Sequence, residues 1–366
     1  MNIGIFIGVF QPFHLGHLET IKRALANGVE HILILMGSAD RSRSINHPFN
    51  FDERFEMIGL ALREAFGADA EGLCEVYSLD DHLGNDHLWI QNVWEVVTAR
   101  GAGKHTFTMM SDGPYSYWFP WHLQPTYLAT VPHSLYKPDL TGAISVGSGP
   151  TPVDDLGVAI SCHSTTKSFF TNPANGWEHT VPQSIAEWMT RFKEKEAFVD
   201  LQEEWQELLS FREKIDSVGV PVAAHEVAVV VLNFGHVFVS RPARAKYRMA
   251  LPRTLVQNLE THHEACMRAV SAEPRGEFHN AIDSLTPVTV PPIAEPCTGQ
   301  RRKVEHVYLY ELNETHLLAG SPEDPNDGKF YRYSDLDELA DQFFGEDYFL
   351  IQKAVEGMGM IAPKRC

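Results

Sequence analysis

Hydrophobic positions along the first two hundred residues switch between two periods. Ile3 to Val9 is a short apolar run, and His31 to Met36 (HILILM) is a second; both read as buried strands. Leu18 to Leu25 has helical spacing. Asp52 to Phe66 carries Phe55, Ile58, Leu62 and Phe66 at helical intervals, which predicts an amphipathic helix with those four on one side. Leu73 to Leu79, His105 to Met110 and Tyr127 to Val131 are further strand candidates, with a helix at Leu88 to Ala99. Strands spaced by helices predict an α/β fold with a doubly wound parallel sheet, and ligands at the carboxyl ends of its strands. Segment 137–158, rich in Gly, Pro, Ser and Asp, reads as a mobile loop. Ile185 to Phe192 is the last helix expected of this domain, and Glu194 to Ile215 is a charged amphipathic helix that bridges to the second half.

The second half has a different texture. Glu226 to Ser240 (EVAVVVLNFGHVFVS) reads as a hairpin with Asn233, Phe234 and Gly235 near the turn. Leu259 to Val270 is helical, His306 to Leu312 is a strand, and Ser334 to Phe344 and Asp347 to Glu356 are helices. The expectation is an α+β domain. The division is therefore 1–192 for the first domain, 193–215 for a helical linker and 216–366 for the second.

Bulk composition adds limits. At 366 residues the chain suits two cores, and 44% apolar with 21% charged residues is the profile of a folded protein. No run approaches the roughly 18 apolar residues of a membrane span, and the N-terminus lacks a signal peptide's basic region and cleavage site. A cytoplasmic protein with no membrane partner is expected. The five cysteines form no C-x-x-C, which argues against a disulfide framework and a cysteine-based zinc site. Helix spacing alone explains the closeness of His262, His263 and Cys266, so no metal site is assigned. A net charge of −18 repels nucleic acid. Anionic substrates would need the few basic groups gathered locally.

The densest chemistry is Gly8-Val9-Phe10-Gln11-Pro12-Phe13-His14-Leu15-Gly16-His17. It starts where the first strand ends and finishes where the first helix begins. Two histidines three apart face the same way on a helical turn. A helix N-terminus offers unpaired N–H groups and partial positive charge, so the segment reads as an anion site. Gly8 permits close backbone approach, and Gly16 leaves room for a nucleotide.

This segment resembles the G-x-F-x-P-x-H-x-G-H signature of the nucleotidylyltransferase superfamily. Gly37-Ser38-Ala39, followed by Asn46-His47-Pro48-Phe49-Asn50-Phe51-Asp52-Glu53-Arg54, is similar to the G-S-A … N-P-F-[ST]-x-x-E-R pattern of archaeal-type nicotinamide-nucleotide adenylyltransferases. Asn50 stands where the family has Thr or Ser, and can still cap the helix. Asn85-Asp86-His87-Leu88-Trp89 looks like the family's N-D-x-x-W segment. Ile160-Ser161-Cys162-His163-Ser164-Thr165-Thr166-Lys167 is a stretched version of its S-x-T-x-[IV]-R turn, with Lys for Arg. The resemblance covers residues 1 to about 192.

It implies adenylyl transfer from ATP to nicotinamide mononucleotide, giving NAD, with Mg²⁺ as cofactor and a homo-oligomer as the expected state. Carried over by position, His14, His17 and Arg54 are catalytic candidates. Gly8, Val9, Phe10, His14, Gly16, His17, Ser161, Thr165 and Lys167 are ATP contacts. Asn85, Trp89 and Arg41 would meet the mononucleotide, Trp89 by stacking on its electron-poor ring. Blander readings stay open: capping histidines, solvated Arg41 and Arg43, and a core Trp89.

Residues 250–261 and the helix after them resemble the entry to a Nudix box, G-x₅-E-x₇-R-E-U-x-E-E-x-G-U. Glu260 and Arg268 fit, while Arg253 stands at the glycine just before the box, Thr254 replaces the box's own Gly, and Ala269 and Ala272 replace two glutamates. Glu273 remains, followed by Pro274 and Arg275. A Nudix site collects carboxylates to hold Mg²⁺ around a pyrophosphate. A Nudix-like fold without hydrolysis is therefore expected. The alternatives are a related transferase acting on another phosphate acceptor, or a non-catalytic nucleotide-binding regulatory protein.

Overall fold

The computed structural model describes residues 1–82, 86–100, 106–110, 160–171, 176–216, 224–242, 245, 248–273, 286–288, 303–312 and 328–358. Two compact units emerge. The first comprises Met1–Asp40 and Phe49–Trp205, and the second comprises Arg41–Pro48 and Gln206–Cys366.

In the first unit, β1 (Asn2–Gly8), β2 (His31–Met36), β3 (Cys74–Ser78) and β4 (Thr106–Met109) form a sheet of order β3-β2-β1-β4. All its pairings are parallel. The chain walks outward from β1 through β2 to β3, then returns to add β4 on the other side of β1. The switch point, where ligands gather in such sheets, lies beside the carboxyl end of β1. Helices α1 (Leu15–Ala26), α2 (Phe51–Phe66), the single turn α3 (Ala70–Leu73) and α4 (Asp86–Ala99) join these strands. α5 (Cys162–Thr171), α6 (Gln183–Phe192) and α7 (Glu196–Asp216) follow, and the two units divide within α7.

Continuous apolar runs suit strands covered on both faces of a parallel sheet, and Ile32 through Met36 are indeed fully buried. α2 begins where expected, capped by Asn50: its side chain accepts from Glu53 N–H at 3.0 Å, and Glu53 answers Asn50 N–H at 3.2 Å. The face it buries differs from the expected one. Met57, Ile58, Ala61 and Leu62 are buried together with Glu53 and Arg54, while Phe55 is half exposed. A buried arginine takes the stripe that sequence periodicity had assigned partly to Phe55. The expected strand at Tyr127 to Val131 and the loop 137–158 lie outside the described residues.

The second unit is a mixed sheet, β10-β6-β5-β9-β8, with β7 also pairing with β5. Its strands are β5 (Ala224–Asn233), β6 (His236–Val239), β7 (Arg253–Leu255), β8 (Thr286–Val288), β9 (Lys303–Leu312) and β10 (Lys329–Arg332). Helix α8 spans His262–Ser271 and α9 spans Asp347–Gly357. β5 is central and pairs in parallel with β9. Its alternate residues serve opposite cores: Val227, Val229 and Val231 pack with Ala265, Cys266, Ala269 and Val270 of α8, while Ala228, Val230 and Leu232 pack with Ile351, Ala354 and Val355 of α9. The β5–β6 hairpin turns at Phe234 and Gly235, both at positive φ. Two expectations are corrected. α8 starts at His262, because Leu259 sits at φ 66° in a turn and Thr261 is the cap. Residues 334–344 form short 3₁₀ turns (Tyr333–Asp335 and Asp337–Gln342) in place of an α-helix.

Candidate active site

The two histidines of the first motif are built into the start of α1. His14 is the N-cap: its Nδ1 accepts from Gly16 N–H at 3.1 Å. His17 reaches back, and its Nδ1 accepts from His14 N–H at 3.1 Å. The pair forms a capping box made of imidazoles, with the rings stacked at 3.6 Å and 20°. A ring nitrogen that accepts from a backbone N–H carries no proton, so in both neutral rings the proton sits on Nε2. Burial pushes the His14 pKa down to about 4. Burial, then the like charge of His14, holds His17 well below the usual histidine range. Both are neutral hydrogen-bond donors at neutral pH.

This changes the anion site expected from the helix end. Gly16 N–H and His14 N–H are taken by the capping box, and His17 N–H bonds His14 C=O at 3.0 Å. The imidazole Nε2–H groups remain as donors for a ligand at this turn.

Aromatic packing locks the rings in place. Phe10 and Phe13 are fully buried and lie 4.8 and 5.3 Å from the His17 ring. Phe10 holds φ 53°, turning the chain sharply after β1. Its ring occupies the space beside Gly8, where an added Cβ would come within 2.8 Å of it. Gly8 and Phe10, expected as ATP contacts, thus serve the shape of the turn. Val9 is exposed, and its carbonyl accepts from Arg54.

Arg54 is the framework of the site. Its Nη1 donates to Val9 O and Gly37 O, both at 2.8 Å, its Nη2 to Ser38 O at 2.9 Å and its Nε to Asn50 O at 3.3 Å. It is 1% exposed. These carbonyls end β1 and β2 and begin α2. This residue, expected as catalytic, ties three segments together. Gln11 does similar work, giving Nε2–H to Phe49 O at 2.7 Å and taking Phe49 N–H at 3.0 Å. Sequence reasoning passed over Gln11, although it lies inside the signature.

α5 brings the third motif alongside. Ser161 and Ser164 bond each other at its start. Cys162 Sγ donates to Pro12 O at 3.4 Å and lies 4.0 Å from His17 Nε2. Thr166 donates to Gln11 O at 2.7 Å. Burial raises the Cys162 pKa to about 11, so it is a thiol and not a nucleophile. Thr165, an expected ATP contact, faces inward onto Thr180 at 2.9 Å, and Lys167 is exposed. Of the third motif, Cys162 and Thr166 reach the first motif.

Trp89 of α4 is partly buried against a core of Ile3, Ile5, Leu33, Leu35 and Leu79. Asn85 lies outside the described residues. Arg41 belongs to the second unit, where it lies over the Phe349 ring and bonds Glu346 at 3.3 Å. Burial would raise the Glu346 pKa, but His47, Arg41 and Ser44 together hold it down to about 2.

His14, His17 and Cys162 each present a ligand atom within 4.8 Å of the others. Mg²⁺ takes oxygen ligands in octahedral geometry, and two imidazoles with a thiol are not that set. The described side chains here do not make a Mg²⁺ site.

Residues 5–100 match the cytidylyltransferase-like family. A nicotinamide-nucleotide adenylyltransferase of Saccharolobus solfataricus is 39% identical over 106 residues, which is 27% of this chain and 59% of that protein. A nicotinamide/nicotinic acid mononucleotide adenylyltransferase of Acinetobacter baylyi is 40% identical over 95 residues, 26% of this chain and 47% of that one. The chain thus spans about half the length of the curated relatives it matches. A bifunctional NMN adenylyltransferase/ADP ribose pyrophosphatase from Francisella tularensis, solved with AMP and manganese, superposes with a TM-score of 0.71 at 19% identity, over 98% of this chain and 99% of that one. The first unit holds a cytidylyltransferase-like domain whose relatives include nicotinamide-nucleotide adenylyltransferases, and the chain shares the fold of that two-domain protein.

Proposed function

We propose that this chain transfers the adenylyl group of ATP to nicotinamide mononucleotide, forming NAD and pyrophosphate. The observation that carries this is the tautomer lock on His14 and His17. Two neutral imidazoles with Nδ1 filled from the backbone offer two Nε2–H donors at the carboxyl end of β1. In adenylyl transfer a phosphate oxygen attacks the α-phosphorus and pyrophosphate leaves. The substrate supplies its own nucleophile, so the protein's task is to position and to stabilise charge. Fixed N–H donors do that without a proton leaving the ring. The relatives that match this segment are named for the same transfer.

We further propose that the second unit does not hydrolyse nucleoside diphosphate compounds. Each carboxylate left from its Nudix-like box is already engaged. Glu260 is paired with Arg268 at 2.8 Å, Glu264 accepts from Thr261 N–H and Oγ1–H at 2.8 Å, and buried Glu273 accepts from Ser240. Ala269 faces the core. A pyrophosphate-bound Mg²⁺ needs free oxygen ligands, and these three carboxylates do not converge on one point among the described groups able to hold an ion.

The test is a coupled assay for NAD formation from ATP, nicotinamide mononucleotide and Mg²⁺, beside an ADP-ribose hydrolysis assay. Absence of NAD formation across acceptors, with nucleotide still bound, would favour a regulatory binder instead.

A further inference from the structure

The second unit holds a cluster that neither the transfer reaction nor the Nudix-like box uses. His225 on β5, His306 on β9 and His262 at the start of α8 each offer one ring nitrogen, all within 4.8 Å of one another. The sheet explains two of them. β5 and β9 run parallel, with His225 opposite Val304 and Val227 opposite His306. His306 is thus two register positions along from His225, on the same face of the sheet. α8 packs on that face through Ala265, Cys266 and Ala269, which brings its first residue, His262, over the two strands.

We propose that His225, His262 and His306 form a binding site for one divalent transition-metal ion of the zinc class. Three observations support it. The rings are already collected, with His225 Nδ1 2.9 Å from His306 Nε2 and the His262 and His306 centroids 4.1 Å apart. Three imidazoles suit Zn²⁺, Ni²⁺ or Cu²⁺ and not the oxygen-seeking Mg²⁺. The cluster also has outer support. His262 Nδ1 lies 2.7 Å from the Tyr308 hydroxyl, and Tyr308 is two residues beyond His306 on the same face. Such a bond fixes the ring and leaves the other nitrogen for a metal. His225 is exposed, so the site is open to solvent and leaves a fourth position for water or an anion. A bound ion would clip β5, β9 and the α8 N-terminus together.

The three histidines are far apart in sequence, which hides the cluster from spacing rules. It is also separate from the His14, His17 and Cys162 group of the first unit. That second group gives the experiment its control.

The full chain, stripped with a chelator and dialysed, is titrated with Zn²⁺ by calorimetry and with Co²⁺ by visible absorption. His262→Ala, His306→Ala and Cys162→Ser variants are run in parallel, with circular dichroism to check folding. The proposal expects one equivalent of Zn²⁺, weakened at least tenfold by His262→Ala and by His306→Ala and unchanged in Cys162→Ser. It also expects a Co²⁺ spectrum without a thiolate charge-transfer band, and a Zn²⁺-dependent rise in Tm that the histidine variants lose. No Zn²⁺ uptake by the native chain would overturn it. So would uptake lost in Cys162→Ser and retained in the folded His306→Ala variant.

Discussion

The backbone N–H of His14 donates to Nδ1 of His17 at 3.1 Å, and this one bond decides which nitrogen of His17 can meet a ligand. Gly16 N–H makes the same choice for His14. The signature's two histidines are three apart because the N-cap and the third helical residue are the positions that can exchange such bonds.

In the proposed reaction, His17→Ala removes a fixed donor from the place where phosphate charge would develop. Loss of such a donor costs about 3–4 kcal/mol of transition-state stabilisation. The expected result is a kcat for NAD synthesis lower by about a hundredfold or more, with the circular dichroism spectrum kept. Near-native kcat in a folded variant would remove His17 from the chemistry.

His14 also ties stability to pH. Its pKa is about 4 in the fold against 6.5 when exposed, so the unfolded chain binds the extra proton first. Stability from this group is complete above 6.5 and drains away as pH falls toward 4. The most it can amount to is about 3 kcal/mol. His14→Asn keeps an N-cap acceptor and abolishes the titration. Between about pH 7.5 and about pH 4.5, on either side of the unfolded value, the urea midpoint should fall further for the native chain than for His14→Asn. Parallel decreases would show that His14 does not carry this dependence.

Arg54→Lys tests the framework role. A lysine cannot span the four carbonyls of Val9, Gly37, Ser38 and Asn50 that the guanidinium meets. Buried carbonyls left without donors should lower stability by about 2–3 kcal/mol. An unchanged Tm with a collapse in kcat would return Arg54 to the phosphate.

How much of this was legible beforehand depends on the range of the interaction. His31–Met36, α1, α4 and the β5–β6 hairpin follow from local period and turn residues, and the fold has them there. The Asn50 cap was legible for the same reason. Arg54 was read as a catalytic residue because a charged residue beside a phosphate-handling motif reads as a ligand. Its partners are backbone carbonyls from three segments, which leave no mark in side-chain patterns. Arg41 shows a related limit: positive charge near a motif says nothing about Glu346, far along the chain, which binds it. Phe55 shows the limit of periodicity, since a helix face can be buried by Glu53 and Arg54 once each has a partner.

Trp89 divides two readings that its position leaves balanced. It packs against the β1–β2 core but is only partly buried. If its exposed face stacks on the nicotinamide ring, Trp89→Ala raises the KM for nicotinamide mononucleotide well above any change for ATP, by an amount matching about 0.5–2 kcal/mol. Equal shifts in both KM values, with a lower Tm, would make it a core residue.

Arg253 stands where the Nudix-like entry has a glycine. Its guanidinium bonds Glu226 at 2.9 Å and Glu305 at 3.1 Å, and also meets Asp347, which is fully buried. Burial would lower its pKa, but Glu226 and Glu305 outweigh that and raise it. Three carboxylates from β5, β9 and α9 thus share one cation, and Asp347 also accepts from Leu251 N–H at 2.8 Å. Arg253→Gly restores one glycine of the motif and takes the shared cation away from the three acids. Breaking a buried ion pair from one side costs about 3–5 kcal/mol, so the second unit should be strongly destabilised at neutral pH. The sign of the pH dependence identifies the cause. Without the arginine, burial and mutual repulsion raise the folded-state pKa values of the acids, so the fold gains protons relative to the unfolded chain and recovers stability as pH falls toward about 5. The variant should therefore show a Tm deficit that shrinks with acid, and no gain in ADP-ribose hydrolysis. A deficit independent of pH would mean that lost packing, not unpaired charge, is what the substitution costs.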